Sequence, residues 1–192
     1  MFEKIIQLDK NALVYLNNLG TAPFDEFWFL ITKQSSWIPF FLLLAYLLQR
    51  QIGWKKLGVV LFFIALILLC CNTTIELCKN HFQRLRPCND PSVQHLIRIL
   101  RQTNSFSFFS GHAANSTATM TFLFFILNKY YRNVFLIFLY PLVFAYSRIY
   151  LGVHFPIDIL MGFVVGSAFG VAFFKMYEGV LRRQISAGSL GI

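Results

Sequence analysis

The 192 residues are 57% hydrophobic, 18% aromatic and only 13% charged, a balance outside that of a soluble domain, so the chain calls for lipid as its solvent. Its net charge of +9 comes from 17 Lys and Arg against 8 Asp and Glu. These cations are scattered between apolar runs and form no stripe with interleaved aromatics, which argues against nucleic acid and for an anionic membrane surface or substrate.

Residues 1–20 carry Glu3, Lys4, Asp9 and Lys10 among apolar residues at helical spacing, with no unbroken apolar stretch that would serve as a signal peptide. The pattern predicts an amphipathic helix, either lying in the membrane interface or packed solvent-side on the membrane domain. Residues 24–32 hold Asp25 and Glu26 and are too short to cross alone, so 1–33 is expected to be an interfacial segment. Apolar runs at 36–49, 57–77, 113–127, 134–147 and 157–174 then predict about five crossings joined by short polar loops. The run 57–77 is the best defined, since its only formal charge is Glu76 and about 1.5 Å per residue carries it about 31 Å. Several others fall short of roughly 20 residues, so their ends must extend into flanking polar residues or be screened by neighbours. The predicted class is an all-α, polytopic membrane helical bundle forming one domain over 1–192, without internal repeats.

The one long connection, 78–111, holds Lys79, His81, Arg84, Arg86, Arg98 and Arg101 with Pro87 and Pro91 as helix breakers, and connections this long are usually functional or disordered. Cys70, Cys71, Cys78 and Cys88 lack metal-ligand spacing, so no metal is expected; Cys78 and Cys88 flank a charged segment and would pair only if their geometry allowed it. His81 and His95 read as loop histidines. Five crossings put the 78–111 loop, the start of the third span and the junction of the last two on one face. Arg50, Lys55, Lys56, Lys129, Arg132, Lys175, Arg182 and Arg183 fall on the other, which the positive-inside rule assigns to the cytoplasm. The active face would then be external, on a cell (inner) membrane.

Three clusters fall on that active face. Lys79 is followed after six residues by Arg86 and Pro87, a pair of cations suited to phosphate, although cytoplasmic or headgroup-facing snorkelling fits them better when taken alone. Ser110, Gly111 and His112 precede the small, polar opening of the third span, where an N-capped helix start offers amides to an oxyanion. Ser147 and Arg148, then His154, then Asp158 form the third; Pro156 suits a first helical turn, and Asp158 can fix the tautomer of His154 and free its other nitrogen for attack.

Together the clusters resemble the Lys-x6-Arg-Pro, Ser-Gly-His and Ser-Arg-x5-His-x3-Asp motifs of the type 2 phosphatidic acid phosphatase family, in order and in spacing. One departure is Phe109, where that family usually has Pro. The resemblance implies a metal-free, cofactor-free lipid phosphatase. Lys79, Arg86, Ser110, Gly111 and Arg148 would hold the phosphate, His154 would be the nucleophile oriented by Asp158, and His112 would be the general acid and base. Prenyl diphosphate ranks first among substrates, lipid A phosphate close behind, with phosphatidylglycerol phosphate and phosphatidate also compatible and transfer to an acceptor lipid not separable from hydrolysis. A small anion transporter is the non-enzyme alternative, but it needs charge through the depth of the spans, and these spans are nearly free of it.

Overall fold

The computed structural model describes residues 2–186 and is helical throughout them, with no strand among the described residues. α1 spans Phe2–Asn18 and α2 spans Asp25–Thr32. α3 runs Ile38–Phe82, α4 Gly111–Leu127, α5 Leu139–Tyr150 and α6 Pro156–Ser186, with 3-10 turns at Ala22–Phe24, Gln34–Trp37, Pro87–Asn89, Gln94–Leu96 and Val134–Phe138.

α3 is two helices across a break at Gly53, whose φ of 73° lies in the left-handed region open to glycine. Its arms, 38–52 and 54–82, hold the predicted runs 36–49 and 57–77, except that residues 36 and 37 fall in the 3-10 turn before α3. Leu44 and Leu48 on the first arm and Val60, Phe63 and Ile67 on the second join Phe122 and Ile126 of α4, Phe144 of α5 and Tyr177 of α6 in one apolar core. Leu42, Phe62, Leu69, Leu77, Leu160 and Val164 instead leave more than half of their surface exposed, an apolar belt of the kind that lipid covers. By length and composition the segments Gln34–Leu96 and Pro156–Arg183 are apolar enough to cross a membrane, and Val134–Tyr150 is a shorter apolar segment.

Inside lipid, association rests on van der Waals fit, not on water exclusion. α4 and α6 supply that fit with small residues. Gly162, Gly166 and Gly170, one helical turn apart on α6, lie so close to Ala113, Ala114, Ala118 and Thr121 that a Cβ at any of them would strike α4.

Boundaries differ from expectation in two places. α3 continues through Cys78 to Phe82 and ends on Gln83 at φ 45°, so Lys79 and His81 belong to its last turn and the loop begins only afterwards. α6 runs past Phe174 to Ser186, since Lys175, Glu178, Arg182 and Arg183 are good helix formers that extend a helix beyond its apolar length. Cys78 and Cys88 are both free thiols, as are Cys70 and Cys71.

α1 has an unusual buried face: Asp9, Leu13 and Asn17, four residues apart, are nearly inaccessible. Asn17 clamps three segments, donating to the carbonyls of Ile149 (3.0 Å) and Tyr150 (2.9 Å) and accepting from the Arg98 amide (2.7 Å). α2 is tied to the loop by Arg98, whose Nη2 donates to both oxygens of Asp25 at 2.9 and 2.8 Å, and the Tyr150 hydroxyl and Arg98 hold the Asp25 carboxyl below the usual carboxylate range.

Candidate active site

The second arm of α3, α4, α5 and α6 alternate in direction, so the end of α3, the start of α4, the end of α5 and the start of α6 meet at one end of the bundle. All three sequence clusters lie there. A turn at 151–155 sets His154: Gly152 adopts φ 72° with the Arg98 carbonyl 3.0 Å from where a Cβ would stand, and the Val153 amide returns to the Arg148 carbonyl at 3.0 Å. Pro156 then opens α6 and places Asp158 in its first turn, where a carboxylate is favoured by the helix dipole.

His154 is 2% exposed and Asp158 is fully buried. Arg86 Nη1 approaches His154 Nε2 at 3.0 Å, and His154 Nδ1 lies 3.4 Å from Asp158 Oδ2. Arginine has only donors, so Nε2 must be the bare, accepting nitrogen and the ring proton must sit on Nδ1, toward the carboxylate. Burial pulls the His154 imidazole down to about 4 against the upward pull of Asp158, which leaves the ring neutral near pH 7.

Asp158 is held by three donors besides the imidazole: the Ser107 hydroxyl and the Phe155 amide (2.9 Å) reach Oδ2, the oxygen that His154 also approaches, and Arg84 Nη1 reaches Oδ1 at 2.7 Å. Arg86 is pinned by the Ser105 carbonyl (2.8 Å), the Ser105 hydroxyl (3.0 Å) and the Val153 carbonyl (2.9 Å), and burial draws it below its ordinary pKa. Arg148, 5% exposed, gives Nη1 to the Thr32 hydroxyl at 2.7 Å, while its Nε is buried without a partner.

Ser110 is the N-cap of α4: its hydroxyl accepts from the Ala113 amide at 3.5 Å, and its own amide donates to the Asp158 carbonyl at 3.0 Å, joining α4 to α6 beside the His154–Asp158 pair. Phe109 packs on Cys71, Ile75 and Ala114. His112 stacks on Phe144 with ring centroids 4.7 Å apart and lies within electrostatic range of Arg148, His154 and Arg86. Lys79 stands apart from these contacts and pairs with Glu76 at 3.1 Å.

A cavity of about 480 Å³ runs from Gly111 and His112 between the two arms of α3, walled by Leu44, Leu48, Leu61, Ile64 and Leu123. That volume falls in the range of ligand pockets. Asn72 and Asn115 line it near His112; Asn115 Nδ2 donates to Asn72 Oδ1 at 2.7 Å, and the Asn115 amide oxygen is buried without a partner. Among the described residues, no three of His, Cys, Asp and Glu gather so as to hold a metal ion.

Sequence reasoning missed Arg84, Asp9, Ser107, Ser105 and Thr32. The only signals were an acid on the apolar face of the first helix, and an arginine and serines close to the motif residues.

The sequence matches the PAP2 superfamily over residues 56–182. The chain therefore belongs to the PAP2 superfamily and is a membrane lipid phosphatase of that family. Among curated proteins it is 29% identical over 181 residues to a lipid A 4'-phosphatase of Bacteroides thetaiotaomicron, covering 91% of this chain and 79% of that protein. A lipid A 4'-phosphatase of Porphyromonas gingivalis is 28% identical over 191 residues, covering 96% and 79%. An undecaprenyl-diphosphatase of Sulfolobus acidocaldarius is 32% identical over 137 residues, covering 70% and 60%. Two crystal structures share the fold. The PAP2 type phosphatidylglycerolphosphate phosphatase of Bacillus subtilis has a TM-score of 0.68 at 20% identity, covering 94% of this chain and 87% of its own. LpxE of Aquifex aeolicus has a TM-score of 0.67 at 23% identity, covering 86% and 93%.

Proposed function

We propose that this enzyme removes a phosphate from lipid A by way of a phosphohistidine on His154. The observation that carries the chemistry is the bare Nε2 of His154, held at 3.0 Å from Arg86 with its opposite nitrogen turned to Asp158. A phosphate bound there would accept hydrogen bonds from Arg86, from the unpartnered Nε of Arg148, and from the Ser110 hydroxyl and Gly111 amide at the mouth of α4, with Lys79 adding its charge from the end of α3. The Nε2–P bond forms as the bond from phosphorus to the lipid oxygen breaks, and His112 gives its proton to that oxygen. Water then yields a proton to His112 and attacks phosphorus, which releases phosphate and restores His154. Three fixed cations offset the phosphate charge, so turnover needs no metal ion.

Two observations favour lipid A over a prenyl diphosphate, reversing the order read from sequence. The lipid A 4'-phosphatases align with nearly the whole chain. The cavity beside His112 also carries the Asn72–Asn115 pair, whose unpartnered amide oxygen suits a tail with hydroxyl or amide groups better than a hydrocarbon prenyl chain. The cations of the opposite end support an external active site in an inner membrane, with α1 and α2 at its interface and about five crossings below them.

The test is phosphate release by detergent-purified enzyme, with chelator present, from lipid A, prenyl diphosphate, phosphatidylglycerol phosphate and phosphatidate. Lipid A should be turned over fastest, and His154→Ala should abolish release. Release by the His154→Ala protein would end the phosphohistidine reading; preference for a prenyl diphosphate would end the lipid A reading; labelled acceptor lipid in place of free phosphate would make the enzyme a transferase.

A further inference from the structure

Arg84 joins two buried carboxylates. Its Nη1 donates to Asp158 Oδ1 at 2.7 Å and its Nη2 to Asp9 Oδ2 at 2.6 Å, while the guanidinium lies 4.0 Å from the Phe155 ring centroid. Asp9 comes from α1, far away in sequence, and accepts from the Ile157 amide at 2.9 Å with its other oxygen. Asp9 thus meets donors on both sides, and Arg84 and the Ile157 amide hold it as a carboxylate against the burial that draws its pKa upward. The Arg84 carbonyl also accepts the Ser107 amide at 2.8 Å, and the Ser107 hydroxyl closes on Asp158. One residue therefore fixes both oxygens of the carboxylate that orients His154.

We propose that Asp9 is a positioning residue for the reaction, neutralising Arg84 so that the charge of Asp158 is left for His154. Without Asp9, Arg84 and Asp158 cancel. With it, the triad Asp9, Arg84 and Asp158 carries one net negative charge. His154 gains positive charge when it attacks phosphorus, and that net charge is what stabilises the phosphorylated ring. Among the described residues the other groups facing His154 do not supply it: Arg86 from the loop and Arg148 from α5 are cations, and His112 from α4 carries no negative charge in either protonation state. α1 accordingly belongs to the catalytic machinery, where an amphipathic anchor alone would not need Asp9 buried at 3% exposure.

The proposal rests on His154 as nucleophile, and the His154→Ala control tests that separately. Charge arithmetic separates the variants. Asp9→Asn leaves the triad neutral, Arg84→Gln leaves it at two negative charges, and the double variant returns to one. Asp9→Asn should lower kcat about tenfold with KM within about twofold, as expected for an effect felt mainly in the transition state. Arg84→Gln should move the acid limb of kcat/KM up by about one pH unit, because an added unpaired anion favours protonated His154. Asp9→Asn/Arg84→Gln should regain most of the lost kcat and a limb near that of wild type. A structural role predicts otherwise: losses that multiply in the double variant, with limbs unmoved, would overturn the proposal. If Asp9→Asn fails to fold in detergent, the upward limb shift of Arg84→Gln and its reversal in the double variant decide alone, and absence of either overturns it.

Discussion

The contact between α4 and α6 gives a prediction whose size follows from the backbone. A Cβ at Gly166 would overlap the Ala114 carbonyl oxygen and stand 3.1 Å from the Ala114 carbonyl carbon and Cα. The obstacle is main chain, so no side chain can swing aside and the helices must part. Overpacking of this kind costs about 1–3 kcal/mol, and the upper end applies where backbone is struck. Alanine returns up to about 1 kcal/mol through helix propensity, leaving a net loss of about 2 kcal/mol for Gly166→Ala. At about 2–4 °C per kcal/mol for a chain of this size, the melting temperature should drop by about 4–8 °C. Gly58, with nothing within 4 Å, is the control: Gly58→Ala removes only backbone freedom and should raise it by about 2–4 °C. Thermal unfolding of detergent-purified variants reads both shifts. Activity should fall with stability in Gly166→Ala, because the same two helices carry the Ser110–Asp158 backbone bond beside His154. A Gly166→Ala protein that melts at or above wild type would refute the close-packing argument.

The remaining predictions concern the chemistry. Nε2 attacks only when bare, a state present above the pKa of about 4 to which burial pulls His154 and lost as pH falls through it, so kcat/KM should hold nearly level down to about pH 5, be about halved near pH 4 and fall about tenfold per pH unit below that. An acid limb at the ordinary histidine value of 6.5 in a stably folded enzyme would show that burial does not govern this group. Arg148→Lys keeps a charge but loses the fork that holds Thr32 with Nη1 and leaves Nε for phosphate; kcat/KM should fall about 10- to 100-fold, and steady-state assays would show an unaffected value if charge alone mattered. Asn115→Leu should lower turnover of lipid A about tenfold while leaving a prenyl diphosphate within about twofold, and equal losses on both lipids would remove Asn115 from substrate selection.

The sequence alone pointed to lipid as the solvent of this protein, to its helical class and to the three clusters that gather at one end of the bundle. Composition settles whether a chain must bury itself in lipid, and the apolar runs locate helices because one span of hydrocarbon needs one long stretch of apolar residues. The His154–Asp158 pair was legible because its members are four residues apart at a helix start, where spacing fixes geometry. Only the tertiary structure decided what surrounds them. Asp9 and Arg84 are 75 residues apart, and Thr32 and Arg148 are 116 apart. No local period encodes such meetings, since they depend on how α1 and α2 fold back over the end of the bundle. The break at Gly53 was hidden for the same reason: glycine allows a left-handed turn without requiring one, and it is the packing of both arms against α4 and α5 that selects it and encloses the cavity beside His112.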